Sequence, residues 1–309
     1  MTQIEVCPIA GGGPEDILVL PNGDVITGTI DGRLQKIRAD FSGGDTVAQM
    51  DQRALGMDVL PDGRVVFCDP TDGVFAVDLE SGQVRALATQ YNGVALGLCN
   101  NPSVAADGTV YFSVSSTRNN VFEAIKDVVE AIPTGALYRV GADGVVEKLL
   151  GDLLFANGVT VAPDQQSVLV AETGRAKITR VWIDGPKSGT AEVFAQDMAG
   201  TPDNLALSDD GSLLVAWVQP YGKKMKDIMA LPQWMRWLIV RLPKFVQPKP
   251  DDRFMMARYG FDGVLLGSID LEGAGFHFVT GGRQVGDWVY VGSVEEDAIA
   301  RFPYAALEG

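Results

Sequence analysis

The sequence contains little cysteine and almost no histidine. Its 309 residues include three cysteines, Cys7, Cys68 and Cys99, and one histidine, His277. An odd, sparse set of cysteines is no disulfide framework, and no pair has the spacing of a zinc site. Cys68 and Cys99 stand in apolar runs, so we expect buried thiols. One histidine excludes catalysis by a histidine pair, and no Gly-x-Ser-x-Gly turn precedes a helix, which argues against a serine triad.

Long apolar runs and an excess of positive charge are also lacking. No run of about 18 apolar residues is present, which argues against a membrane-spanning helix. The first nine residues lack the basic and apolar segments of a signal peptide, so we expect a cytoplasmic protein. The 40 acidic residues outnumber the 25 basic ones and give a net charge of −15. Such a chain repels phosphate backbones, so we expect no nucleic-acid partner.

The feature that organises the sequence is a repeated strand–turn–strand unit. Short apolar runs flank turns rich in Asp-Gly and Asn-Gly, which are the strongest local signal for a β-hairpin. The clear turns are Pro21-Asn22-Gly23-Asp24, Pro61-Asp62-Gly63-Arg64, Ala106-Asp107-Gly108, Pro163-Asp164 and Asp209-Asp210-Gly211, and a looser sixth passes through Gly286-Asp287. Repeats of roughly 40–50 residues with several strands each are typical of propeller blades. We therefore predict an all-β, six-bladed β-propeller that forms one domain over residues 1–309.

Two stretches interrupt the repeat. Residues 117–132 are predicted to form a short helix or loop in blade three. A larger insert, at about residues 221–252 in blade five, is predicted to be helical and mixes apolar with basic side chains. Its basic residues are Lys223, Lys224, Lys226, Arg236, Arg241, Lys244 and Lys249, against one early acid, Asp227. Three roles are open for this insert: a lid over the active face, a contact with a second copy or a membrane surface, or a structural cover.

One position of the repeat carries oxygen donors. Six residues before each hairpin turn, at the start of the preceding strand, stand Glu15, Leu55, Asn100, Asn157, Asp203 and, with a less certain register, Val279. If this strand is the innermost one, these side chains line one mouth of the central channel. Two carboxylates and two amides suit calcium, and the absence of thiolate and imidazole argues against zinc and copper. Each residue alone could serve a turn or a strand end, so the shared position is what indicates a metal site.

The sequence resembles the strictosidine synthase-like family over nearly its whole length. The resemblance is carried by Gly13-Pro14-Glu15-Asp16, Phe155-Ala156-Asn157-Gly158-Val159, Ala171-Glu172-Thr173-Gly174-Arg175, Pro202-Asp203-Asn204 and residues 181–182, 185–194 and 231–243. That family is grouped with the regucalcin/gluconolactonase proteins and the paraoxonases as six-bladed propellers. The resemblance implies a catalytic calcium ion on Glu15, Asn100, Asn157 and Asp203, with Asn204 as an additional candidate ligand. Whether a second, structural calcium lies deeper in the channel stays open.

Departures from the family pattern narrow the expected activity. Relatives often have Asn-Asp where this chain has Asn100-Asn101, so one carboxylate is missing. Strictosidine synthase itself uses a glutamate where Val279 stands, so we do not expect its condensation reaction. We expect calcium-dependent hydrolysis of small esters or lactones, with Asp203 as base or nucleophile and His277 as proton donor or acceptor. Two alternatives stay open: phosphotriester hydrolysis at the same metal, and a non-catalytic binding module with structural calcium.

Overall fold

The chain forms six four-stranded antiparallel sheets, which confirms the predicted six-bladed β-propeller. The computed structural model describes residues 3–243 and 251–308, and all elements named below belong to them. A small two-stranded hairpin, which the sequence repeat does not indicate, accompanies the six sheets.

The first half of the chain builds three blades. Strand β1 (Glu5–Pro8) pairs with blade six, and blade one contains β2 (Ile17–Val19), β3 (Val25–Gly28), β4 (Arg33–Ile37) and β5 (Gly44–Gln49). Blade two contains β6 (Met57–Val59), β7 (Val65–Asp69), β8 (Gly73–Val77) and β9 (Val84–Ala88), and the small hairpin that follows consists of β10 (Gln90–Tyr91) and β11 (Val94–Ala95). Blade three contains β12 (Cys99–Val104), β13 (Val110–Val114), β14 (Gly135–Val140) and β15 (Val146–Leu153).

The second half repeats this plan. Blade four contains β16 (Ala156–Val161), β17 (Ser167–Glu172), β18 (Lys177–Trp182) and β19 (Ala191–Ala195). Blade five contains β20 (Gly200–Leu207), β21 (Leu213–Pro220), β22 (Arg253–Tyr259) and β23 (Leu265–Glu272). Blade six contains β24 (Val279–Val285), β25 (Trp288–Ser293) and β26 (Ala298–Pro303).

The ring is closed by β1, which pairs with β26 and forms the outer strand of blade six. The pairing sets Glu5 opposite Arg301, and the guanidinium lies 2.7 Å from the carboxylate. One end of the chain thus completes the blade built by the other. No Asp-Gly or Asn-Gly turn precedes β1, so the sequence repeat does not reveal this strand.

Neighbouring blades pack face to face through apolar side chains. One cluster joins blades two and three around Cys68, Cys99 and Phe112, none of which has exposed surface. Another joins blades five and six around Phe254 and Phe302. The positions of Cys68 and Cys99 confirm the prediction of buried thiols.

Both predicted interruptions of the repeat contain helices. In blade three, a 3₁₀ turn (Val121–Glu123) leads into α1 (Ala124–Glu130), and in blade five α2 (Lys223–Ala230) and α3 (Gln233–Ile239) connect β21 to β22. Lys244 and Lys249 of the predicted basic insert lie outside the described residues. None of the described helices is long and apolar enough to cross a membrane.

The helical inserts lie at the end of the channel where the innermost strands begin. Each insert connects the second and third strands of its blade. Antiparallel pairing sets Cys99, at the start of β12, opposite Val114, at the end of β13. In blade five it sets Gly200, at the start of β20, opposite Pro220, at the end of β21. The helices therefore stand at the same mouth as the first residues of the inner strands.

Candidate metal centre

The channel is lined by the innermost strand of each sheet, which is the strand that carries the shared position, so the condition set from the sequence is met. In the ring, β2, β6, β12, β16, β20 and β24 each contact the next, and β24 contacts β2. Glu15 lies two residues before β2, and Asn100, Asn157 and Asp203 lie near the starts of β12, β16 and β20. In the two remaining blades the equivalent residues are the apolar Leu55 and Val279, so the oxygen donors come from blades one, three, four and five.

Among residues 3–243 and 251–308, six side chains at the channel hold a buried oxygen atom that accepts no hydrogen bond. One, Asp16 Oδ1, belongs to the carboxylate beside Arg283, and the other five lie at the mouth. These five atoms are Glu15 Oε2, Asn100 Oδ1, Asn157 Oδ1, Asp203 Oδ1 and Asn204 Oδ1, and every one of these side chains is at most 6 % exposed. An unpaired buried polar atom costs about 1–3 kcal/mol, so folded proteins rarely keep one. Five acceptors of this kind at one mouth form a set that a cation fits. We call these five residues the oxygen cluster.

Direct contacts and shared electrostatics hold the oxygen cluster together. The Asn204 amide donates to Glu15 Oε1 at 3.2 Å, which leaves Asn204 Oδ1 free for another partner. Burial, followed by the charges of Asp203 and Asp16, raises the pKa of Glu15 well above its ordinary value. Burial also raises the pKa of Asp203 to about 8, although the nearby Asn157 amide opposes this rise. A nearby divalent cation would offset the cost of ionising both carboxylates.

Thr173 orients the amide of Asn157. Its hydroxyl accepts a hydrogen bond from Asn157 Nδ2 at 3.2 Å and donates to the carbonyl of Pro202 at 2.8 Å. Because the amide nitrogen is used in this way, Asn157 Oδ1 is the atom left for a metal. Thr173 belongs to the Ala171–Arg175 motif of the sequence, but the repeat offset did not single it out.

The backbone near Asn157 is strained and tightly packed. Phe155, two residues earlier, has φ of 56°, which lies in the left-handed region that bulky residues rarely adopt. Gly158 lies so close to the Asp203 carbonyl and Asn204 Cα that an added Cβ would approach them to 2.5 Å and 2.6 Å. Both features fix β16 against β20 at the level of the oxygen cluster.

The residues that follow Glu15 and Asn100 join neighbouring blades. Asp16 accepts a hydrogen bond from the Met57 N–H at 3.0 Å, and Asn101 accepts one from the Val159 N–H at 2.9 Å. An asparagine oxygen performs this task as a carboxylate would. The Asn-Asn departure from the family pattern therefore leaves this contact between blades three and four intact.

Arg283 of β24 spans the channel beyond the oxygen cluster. Its guanidinium donates to the carbonyls of Leu205 at 3.1 Å and Met57 at 2.9 Å, and lies 3.6 Å from the Asp16 carboxylate. Burial raises the pKa of Asp16 and of Asp58, and the charge of Arg283 opposes both shifts. The charge of Arg283 therefore balances the deeper carboxylates, Asp16 and Asp58. They lie in the part of the channel for which the sequence left a second, structural calcium as an open question.

The donor set of the oxygen cluster fits calcium. It holds two carboxylates and three amide oxygens, a hard and oxygen-only set that matches the preference of this ion. Among residues 3–243 and 251–308, no group of three or more His, Cys, Asp or Glu side chains is arranged to hold a metal ion. A cation in the oxygen cluster would therefore need the amide oxygens of the three asparagines as ligands. This donor set does not support a zinc site, which favours thiolate and imidazole ligands.

His277 pairs with a glutamate that the sequence did not single out. The histidine precedes β24, and its Nδ1 lies 2.5 Å from Glu296 Oε1, which also accepts from the His277 N–H at 3.0 Å. The Glu296 carbonyl accepts from the Gly13 N–H at 2.8 Å, in the loop that carries Glu15. Because Nδ1 is directed at this carboxylate, Nε2 is the ring atom that stays available for another partner. No hydrogen bond joins His277 to the five residues of the oxygen cluster, all of which the structure describes.

Helix α1 covers part of the channel mouth. Its Val128 packs against Leu55, Leu98 and Phe155, residues that directly precede or flank the inner strands. The helix also contacts α3 of the other insert. A cavity of about 320 Å³ lies between the two inserts, lined by Arg118, Glu130, Ile132, Gln233, Trp234 and Trp237, and not at the oxygen cluster.

Comparison of the sequence with known proteins gives a family and several relatives. The family model described as the SMP-30/Gluconolactonase/LRE-like region matches residues 16–226. Adipocyte plasma membrane-associated protein of Danio rerio is 32 % identical over 250 residues, which are 74 % of this chain and 60 % of that protein. The chain thus spans less than two thirds of that relative. Protein STRICTOSIDINE SYNTHASE-LIKE 6 of Arabidopsis thaliana is 27 % identical over 307 residues, which are 93 % of this chain and 78 % of that protein.

Solved structures share the fold at low sequence identity. A gluconolactonase from Xanthomonas campestris superposes with a TM-score of 0.71 at 16 % identity, covering 98 % of this chain and 89 % of that one. The calcium-binding protein regucalcin from Agrobacterium tumefaciens gives 0.68 at 16 % identity, covering 97 % of this chain and 93 % of that one. These likenesses concern the fold alone. Because the family model matches more than half of the sequence, the chain belongs to the SMP-30/gluconolactonase/LRE-like family.

Proposed function

We propose that this protein hydrolyses small esters or lactones with a calcium ion held by Glu15, Asn100, Asn157, Asp203 and Asn204. The observation that carries the proposal is the set of five buried oxygen atoms that the described protein groups leave without a donor. Two carboxylates match the charge of a divalent cation, and the amide oxygens complete the set. The names of two neighbours with the same fold, a gluconolactonase and a calcium-binding regucalcin, agree with it.

The chemistry divides between the cation and the side chains around it. Bound in the oxygen cluster, calcium would polarise the substrate carbonyl and stabilise the charge that develops on its oxygen. His277 is held through Nδ1 by Glu296, so Nε2 can accept a proton from the attacking water and return it to the leaving oxygen. Asp203 is the other candidate, as base or nucleophile, because it belongs to the oxygen cluster itself.

The mouth suits a substrate with an apolar part. Leu98, Val128 and Phe155 are buried together beside the inner strands, and such walls exclude water from a reacting carbonyl. Helix α1, which carries Val128, covers part of this mouth. A covered mouth favours the alternative function, a non-catalytic binding module in which calcium is structural.

The proposal is tested by hydrolysis of phenyl acetate, a γ-lactone, a δ-lactone and a phosphotriester, each with calcium and with excess chelator. The wild type is compared with Asp203→Asn and with a matched control, Asp184→Asn, which changes an exposed aspartate between β18 and β19. We expect calcium-dependent turnover of an ester or lactone that falls at least about a hundredfold in Asp203→Asn and is kept in Asp184→Asn.

Three other results would redirect the assignment. Turnover that chelation leaves unchanged, with the fold intact by circular dichroism, would reject the calcium mechanism. Fastest turnover of the phosphotriester would assign the site to that substrate class. Calcium binding without turnover of any substrate would support the binding module.

A further inference from the structure

Helix α3 exposes a face of large apolar side chains. Trp234, Trp237 and Leu238 are 64 %, 47 % and 49 % exposed. Their spacing of three and four residues places them on one side of the helix. Scattered exposed apolar residues need no explanation, but two tryptophans and a leucine on one helical face mark a binding surface.

The neighbouring insert adds to this face. Phe122, in the 3₁₀ turn before α1, and Ile125, in the first turn of α1, are 77 % and 54 % exposed, and α1 contacts α3. We call the five residues Phe122, Ile125, Trp234, Trp237 and Leu238 the apolar patch. It is built by both inserts, at the mouth of the channel where the oxygen cluster lies.

Basic side chains flank the apolar patch in a chain whose net charge is −15. The described part of the insert, residues 221–243, has one acid, Asp227, which pairs with Lys223 at 2.6 Å. Lys224 and Lys226 are exposed on the same helix, α2. The Arg241 guanidinium lies 3.9 Å from the centre of the Trp237 ring, but it pairs with the buried Glu130, so the exposed positive charge near the apolar patch is that of Lys224 and Lys226.

We propose that the apolar patch and the lysines of α2 bind the surface of an anionic lipid bilayer. Tryptophan favours the level of the lipid headgroups, and lysine is attracted to anionic lipid, so this combination is typical of helices that lie on a membrane. The acidic remainder of the chain would be repelled by the same surface, which fixes the orientation with the channel mouth towards the lipid. A symmetric contact with a second copy would instead bring the α2 lysines of both chains together.

The inference is tested with the full chain and two kinds of vesicle, phosphatidylcholine alone and phosphatidylcholine mixed with phosphatidylserine. Sedimentation of the vesicles gives the partition coefficient of the protein at low and at physiological salt. We expect binding to the mixed vesicles that exceeds binding to phosphatidylcholine and weakens with salt. Two double variants, Trp234→Ser/Trp237→Ser and Lys224→Glu/Lys226→Glu, should each weaken binding at least about tenfold.

Matched controls change similar side chains elsewhere. Val264→Ser/Leu266→Ser removes exposed apolar groups in the turn before β23 and at the beginning of β23, at the opposite end of the blade. Arg85→Glu/Lys148→Glu reverses exposed charges on outer strands. Both controls should bind as the wild type does. Equal binding by the wild type and both patch variants, or no binding to the mixed vesicles, would overturn the inference. So would a dimer in analytical ultracentrifugation that the tryptophan variant abolishes, because a second copy would then occupy the apolar patch.

Discussion

Two amide oxygens of the candidate site, those of Asn157 and Asn204, are directed by a neighbouring group. The amide nitrogen of Asn157 is taken by Thr173, and that of Asn204 by Glu15, so in both residues the carbonyl oxygen remains available. These neighbours come from other strands and loops. The type of ligand is therefore a property of single residues, but its orientation depends on contacts with residues distant in the sequence.

At the same scale, Glu296→Ala should lower kcat roughly tenfold to hundredfold while KM and calcium affinity change little. The reason is that Glu296 holds the His277 ring and contacts none of the oxygen cluster. Steady-state kinetics on the best substrate of the panel measure this, with Glu295→Ala as a control. The double variant with His277→Gln should be no slower than His277→Gln alone, because the two residues act as one unit. Additive losses, or an unchanged kcat, would contradict the role given to Glu296.

At the scale of elements, the two inserts are joined by one buried carboxylate. Glu130 of α1 contacts Arg118 at 3.2 Å and Arg241, beyond α3, at 2.5 Å, and Arg236 donates to the Val129 carbonyl at 3.3 Å. Burial alone would raise the pKa of Glu130, but the two arginines that contact it lower it below its ordinary value. The ion pairs are therefore present at neutral pH and are lost on acidification through that lowered pKa.

Removing that carboxylate should loosen the inserts without unfolding the blades. In Glu130→Ala, hydrogen–deuterium exchange should become faster in α1 and α3, while the thermal midpoint falls by only a few degrees. Glu123→Ala is the control, because Glu123 pairs at 2.5 Å with Lys126 of its own insert and not with the described residues of the other insert. Unchanged exchange in α3, or cooperative unfolding of the propeller, would show that Glu130 does not act as a local clamp.

At the scale of elements, the hairpin turns and the inner strands are the features that the sequence could predict. Asp-Gly and Asn-Gly turns recur because each hairpin needs a residue with positive φ, such as Gly63 at 88° or Gly211 at 79°. A constant offset from these turns therefore located the inner strands and Glu15, Asn100, Asn157 and Asp203. Other features have no local signal, because they depend on pairing between distant segments: β1 closes blade six, and Glu296 reaches His277 from another loop.

For the whole molecule, the channel is where the blades are tied together. The oxygen cluster takes residues from blades one, three, four and five, and Arg283 joins blades one, two, five and six just beyond it. A cation that binds the folded ring and not the unfolded chain stabilises the fold by mass action. Calcium binding and thermal stability should therefore change together.

The most direct test of the account is a calcium titration of chelator-treated protein by isothermal calorimetry, with the thermal midpoint measured in parallel. The account predicts that the wild type and Asp184→Asn bind calcium and gain stability from it. Asp203→Asn should bind at least about tenfold more weakly, which corresponds to about 1.4 kcal/mol, and gain less. A wild type that neither binds calcium nor is stabilised by it, or an Asp203→Asn variant that binds as tightly, would contradict the metal centre.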